Sequence, residues 1–309
     1  MVRRIIVALL ITATLVLAGV GAYSHYFAPP DVLVADVPVF VPPTAPPPTE
    51  AEQFETLAQT DVVATLAACL SNYEQVATGF RATLAKRERV AGKLQGPELV
   101  RLLATGDVPG PDKKTHIRVR MIWDQGGSKD LLGNAVRGCL YLEDKSPEQM
   151  VIFRPTALLK EFSVPSKSGL ARDASRYCVK DAGMYRSMLR TYAAWKKRQD
   201  AGELAVTYLG KQVVPQAGGR ECYAVKRTCK SVEADPFALD EHPPTDAKII
   251  DRDGFSEVTL FIDAERRLQV GTVLRRADGE LVGEYYFHDM ELVKGEFPAD
   301  TFTPAALRN

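Results

Sequence analysis

Histidine is scarce in this sequence, and metal motifs and phosphate loops are missing. Its four histidines, His25, His116, His242 and His288, are scattered through 309 residues. There is no His-x-x-x-His pair, no Glu beside a His on a helix and no Cys-x-x-Cys, so no zinc site is expected. Asp246, Asp251 and Asp253, with Asp240 and Glu241 upstream, lack the glycine and closing Glu of an EF-hand loop and read as solvated loop charge. No Gly-x-Ser-x-Gly elbow occurs. "DQGGSKDLLGN" has glycines but not the Gly-Lys-Ser/Thr ending of a phosphate loop, and reads as a flexible hairpin tip. No motif names a cofactor, and the expectation is a protein without catalysis. Charge of one sign is missing too: 39 basic residues face 39 acidic ones, so bulk electrostatics supply no nucleic-acid partner. No internal repeat at a fixed period is present.

What is there begins with an apolar run. Arg3 and Arg4 precede residues 5–22, which carry no charge. That run is long enough for a spanning helix and longer than the roughly 7 to 15 residues of a signal-peptide core. Residues 1–22 therefore read as a signal-anchor, with a cleaved signal peptide ending at Val20-Gly21-Ala22 as the alternative and a buried core helix as a third. The basic flank precedes the span, which places the rest of the chain outside the cytoplasm, in the periplasm or beyond, with the cell membrane as partner through residues 5–22. No Cys lies near the end of the span, which argues against a lipoprotein. Residues 23–49 are a Pro-rich linker, favouring extended geometry at about 3.1 Å per residue.

A globular domain is expected over residues 50–305. Thr49 and Glu52 have capping-box spacing, and Phe54, Leu57, Ala58, Val62, Leu66, Cys69, Leu70 and Tyr73 continue one helical stripe. The period then changes to two: Phe80, Ala82, Leu84 and Val90 alternate with polar residues, as do Ile117, Val119, Met121 and Trp123. Further strands are expected near 137–143, 149–154, 157–163, 204–210, 220–228, 256–263, 267–276 and 281–291, with Asp278-Gly279 as a hairpin signal. A second helix carries a Met184, Met188, Tyr192 and Trp195 stripe and stops at Gly202. Residues 231–254 are acidic and Pro-rich and read as a long surface excursion. The sum is α+β: a curved antiparallel sheet of about ten or eleven strands with two main helices.

Two features stay open. The five cysteines, Cys69, Cys139, Cys178, Cys222 and Cys229, permit a disulfide in an oxidising compartment, although Cys222 and Cys229, roughly 23 Å apart on one strand, are too distant to pair. Lys86 and Glu88 fall on the apolar face of the first strand. They are either a polar pair at the mouth of a concave pocket or the product of a bulge that returns both to solvent, and the bulge is the expectation.

"VTLFIDAERRLQVGTVLRRADGELVGEYYFHDMELVKGEFPADTFTP" resembles the C-terminal end of the periplasmic lipoprotein-carrier superfamily, LolA, LolB and the RseB-like domains. The resemblance implies a half-open barrel whose sheet cups helices and, in the carriers, acyl chains. "KRERVAGKL", "ASRYCVKDAGMYRSMLRTY" and "LFIDAERRLQVGTVLRRADGELVGEYYFHDMEL", in that order, resemble the planctomycete-type family called domain of unknown function 1571. Cys178-Val179 stands where that family usually carries Pro-Ile, and the acidic insert is this chain's own.

The functional expectation is a membrane-tethered binding domain for a lipid, acyl chain or lipoprotein. Its apolar cup would be built from Leu84, Val119, Met121, Trp123, Leu260, Tyr285 and Phe287 on the sheet and Met188, Tyr192 and Trp195 on the second helix. Phe302 is expected to fold back over the barrel's open edge. The alternative is an envelope module whose interior is filled by its own helices and which works through protein partners.

Overall fold

Thr49 starts the first helix as its spacing predicts: its hydroxyl accepts from the Glu52 N–H at 3.2 Å while the Glu52 carboxylate accepts from the Thr49 N–H at 2.6 Å. The computed structural model describes residues 49–110, 114–129, 133–158, 160–239 and 246–308. The expected membrane span, the Pro-rich linker and the acidic pair Asp240 and Glu241 lie outside them. Among the described residues no helix is long and apolar enough to cross a membrane.

The opening helical stripe is two helices, not one. Helix α1 (Glu50–Thr60) ends and α2 (Val62–Val76) begins at Asp61, which sits in extended geometry. The Asp61 carboxylate accepts from the Ala64 N–H at 3.0 Å, capping the second helix where it interrupts the first.

The remaining elements follow in chain order: β1 (Gly79–Val90), β2 (Lys93–Leu94), β3 (Glu98–Thr105), β4 (Arg118–Gln125), β5 (Gly138–Leu142), β6 (Gln149–Phe153) and β7 (Glu161–Pro165); α3 (Gly169–Ala174) and α4 (Met184–Asp200); β8 (Ala205–Val214) and β9 (Arg220–Glu233); α5 (Ala247–Asp253); β10 (Phe255–Asp263), β11 (Gln269–Arg275) and β12 (Leu281–Val293). Strand β3 was not expected. Its Val100, Leu102 and Ala104 alternate inward within "ELVRLLAT", a segment whose leucines and alanine carry little strand preference by themselves.

The strands form one 12-stranded antiparallel sheet in the order β7-β6-β5-β4-β3-β1-β12-β11-β10-β9-β8, with β2 paired to β1. Two meanders are thus joined where the first strand pairs with the last, and β7 and β8 end the sheet without meeting. The sheet is curved and unclosed, and α2 and α4 lie inside it. Tyr73, Met184 and Met188 pack there against Phe80, Leu102 and Val119. Trp195 joins Val62, Val63 and Leu66 against Val225, Leu260 and Val282.

Two further expectations are corrected. The bulge lies in β12, not in β1: between the pairs Arg81↔Glu291 and Thr83↔His288 the last strand holds one extra residue, and Asp289 takes φ +50°. Strand β1 therefore keeps its alternation through Lys86 and Glu88, and both point inward. Phe302, in turn, caps no edge. It is buried with Ile122, Leu140 and Leu307 on the convex face of β4 and β5, edge-on to Phe297. That outer face is apolar enough to need a cover, and the C-terminal segment supplies it.

Candidate functional site

The inner face of β1 shows how the cup is divided. Phe80 and Ala82 are packed into the helix-filled core, whereas Leu84, Lys86 and Glu88, further along the same face, line a cavity of about 790 Å³. The helices fill one end of the cup and leave the other hollow. Of the residues expected at the site, Leu84, Met121, Trp123, Trp195, Leu260, Tyr285 and Phe287 border this cavity. Val119 on the sheet and Met188 on α4 are fully buried in the core between sheet and helices, and Tyr192 packs between the two core clusters. Those three do not line it.

One wall is polar and buried. Lys86 pairs with Glu88 and lies 3.3 Å from Glu98, its side chain only 8% exposed and that of Glu88 3%. Glu88 also accepts from the Tyr285 hydroxyl at 2.8 Å and from Ser175 Oγ at 3.1 Å, and Glu98 accepts from Trp123 Nε1 at 2.8 Å. Burial by itself would disfavour both charges, but the facing carboxylates hold the Lys86 ammonium above its usual range, and Lys86, Tyr285 and Ser175 hold Glu88 below its own. Lys86 thus bridges the two carboxylates, and the hydroxyl and indole donors complete their hydrogen bonding.

A second wall comes from segments that the sequence leaves looking like surface. Arg176 and Tyr177 follow α3, and Asp235 follows β9. Tyr177 donates to Asp235 Oδ2 at 2.5 Å, Arg176 Nε lies 3.3 Å from the same oxygen, and Arg176 Nη2 donates to the Asp253 carbonyl at 3.0 Å. Burial and the Asp235 charge together push the Tyr177 phenol well above its ordinary range. The 231–254 excursion is thus a correction: residues 231–233 complete β9, residues 234–237 wall the cavity, and α5 buries Ile249 and Asp253. Acidic residues, which usually mark solvent, are here neutralised by buried arginines, and composition alone cannot show that pairing. Tyr177 also packs at a tilt against Tyr285, with ring centroids 5.4 Å apart, so the two polar walls meet.

All five cysteines are free thiols, four of them buried. Burial raises Cys69 and Cys139 to about 12, which suits small packed side chains rather than nucleophiles.

An unclosed antiparallel sheet cupping helices around a largely apolar hollow is a half-open barrel. The chain belongs to the family described as Protein of unknown function (DUF1571), whose model matches residues 77–306. Among solved structures it is similar to the MucA/MucB complex of Pseudomonas aeruginosa, at 12% identity and a TM-score of 0.43, over 80% of this chain and 62% of that one. It is similar to LprF from Mycobacterium bovis, at 14% identity and a TM-score of 0.40, over 77% and 96%. A LolA superfamily protein from Nitrosomonas europaea matches at 10% identity and a TM-score of 0.28, over 78% and 98%. The chain spans 62% of the length of the MucB chains it matches. No curated protein matches it in sequence.

Proposed function

We propose that the domain is a non-catalytic binding protein that takes the acyl chain of a lipid or lipoprotein into the hollow end of its cup. The observation that carries this reading is the cavity: about 790 Å³, within the roughly 300 to 1,000 Å³ usual for small-molecule sites. Its apolar lining of Leu84, Val100, Met121, Ile152, Leu260 and Phe287 would gain about 25 cal/mol for each Å² of apolar ligand surface covered. Native mass spectrometry of the purified protein, followed by solvent extraction, tests it. A co-purifying acyl-chain compound is expected; a protein that carries none and takes up none when offered would overturn the reading.

Residues 5–22 are proposed to hold the domain at the cell membrane on the extracytoplasmic side, with the Pro-rich linker as a spacer. Carbonate extraction of native membranes is expected to leave the protein in the pellet, and a soluble form starting at Tyr23 would instead mean a cleaved signal peptide. The second reading, a module working through protein contacts, has one observation in its favour: edge strand β8 exposes Val206, Leu209 and Val213.

A further inference from the structure

We propose that the ligand of the cup is an anionic amphiphile, with its carboxylate or phosphate headgroup held by Arg190 on α4. This deepens the acyl-chain reading and rests on it. The donors and acceptors along the cavity do not balance. Every carboxylate that lines it is paired: Glu88 and Glu98 by Lys86, Glu233 by Arg227 and Arg198, Asp235 by Tyr177 and Arg176, and Asp181 by Arg190. What remains over is donor capacity. Among the described residues lining the cavity, Arg190 Nε and Nη1 and Arg227 Nε are buried without a hydrogen-bond partner, against one acceptor, the uncharged Gln269 Oε1.

Arg190 is the best placed of these groups. Its guanidinium lies over the Tyr177 ring at 4.8 Å and the Phe237 ring at 5.6 Å. The rings hold the guanidinium in place, and its Nε and Nη1 donors stay unmade. Its nearest carboxylate oxygen, Asp181 Oδ2, is 3.7 Å from Nη1, too long for a hydrogen bond. A buried donor left unmade is costly, so an acceptor brought by the ligand is favoured over a neutral head that brings none. The apolar side of the cavity, from Leu84 to Leu260, takes the chain.

The delipidated full chain, loaded with the neutral fluorophore N-phenyl-1-naphthylamine, tests this by displacement with palmitate, palmitoyl lysophosphatidate and hexadecanol. At least one of the two anions is expected to bind about tenfold or more tightly than hexadecanol, as one charged hydrogen-bond pair requires, and the tighter of the two identifies carboxylate or phosphate. Arg190→Gln is expected to abolish that preference while hexadecanol binding stays, and Arg190→Lys to retain part of it. Equal affinity of the native protein for hexadecanol and both anions would overturn the headgroup assignment while leaving the acyl-chain cup intact. Binding of none of the three would overturn both. The comparison within the native protein holds even where a variant folds poorly.

Discussion

The Tyr285 hydroxyl donates to Glu88 Oε2 at 2.8 Å, tying the last strand of the sheet to the first across 197 positions of sequence. The two strands are neighbours, with Lys86 opposite Tyr285 in the register. The contact therefore adds a side-chain bond to the ladder that joins the two meanders, and it lies in the polar wall of the cavity. It also explains why Lys86 and Glu88 stay inside: the charges have partners from β3, β12 and the segment after α3.

Removing one member of that network leaves the others uncompensated. Lys86→Met leaves Glu88 and Glu98 buried and facing each other, and is expected to destabilise the protein by about 3 to 5 kcal/mol. Urea unfolding at neutral pH measures it. A loss within about 1 kcal/mol would mean that the carboxylates find solvent and that the wall is not a closed network.

Trp195 is buried between α2 and the strands of the β9 to β12 half, and it also borders the cavity. Trp195→Ala is expected to cost about 3 to 5 kcal/mol through lost burial and an enlarged void. A movable lid would behave otherwise, with unchanged stability and altered ligand release. Chemical denaturation alongside a lipid-release assay separates the two.

Asp107 gives the fold a pH dependence. Its Oδ2 accepts from the Tyr185 N–H at 2.8 Å at the start of α4, while Oδ1 is buried without a hydrogen-bond partner. Burial pushes its pKa from 3.8 up to about 6, against the backbone N–H groups that pull it down. A raised carboxyl pKa means the folded state holds the proton more tightly. Its contribution is therefore fully present below pH 3.8 and is lost as pH rises through about 6. Asp107→Asn removes this titration, so its stability relative to the native protein is expected to improve by about 2 kcal/mol between pH 4 and pH 7.5. A difference that stays constant over that range would show that Asp107 does not titrate on folding.

The C-terminal cover has its own energetic test. Ending the chain after Lys294 removes Phe302 and Leu307 from the convex face and uncovers Ile122 and Leu140. At about 1.5 to 3 kcal/mol for each large side chain, the loss is expected to be about 3 to 6 kcal/mol, with aggregation through the exposed patch. Size-exclusion chromatography and thermal unfolding check it, and a stable monomer would show that the cover contributes nothing.

The sequence by itself determined the elements whose period is local. The capping box at Thr49, the alternation through β1, β4 and β12, the Met/Trp stripe of α4 and the Asp278-Gly279 turn all follow from side chains within a few residues of each other. Family membership was legible for the same reason, since it rests on three contiguous motifs. What only the tertiary structure decided is where charge is paired. Lys86 and Glu88 on an apolar face, and Asp235 in an acidic loop, look solvent-bound until Tyr285, Ser175 and Arg176 arrive from distant parts of the chain. The strand β3 and the seat of Phe302 were decided in the same way, by packing that overrides weak local preference. The hollow end of the cup belongs to this second group, because a cavity is space that the helices do not fill, and no single segment encodes it.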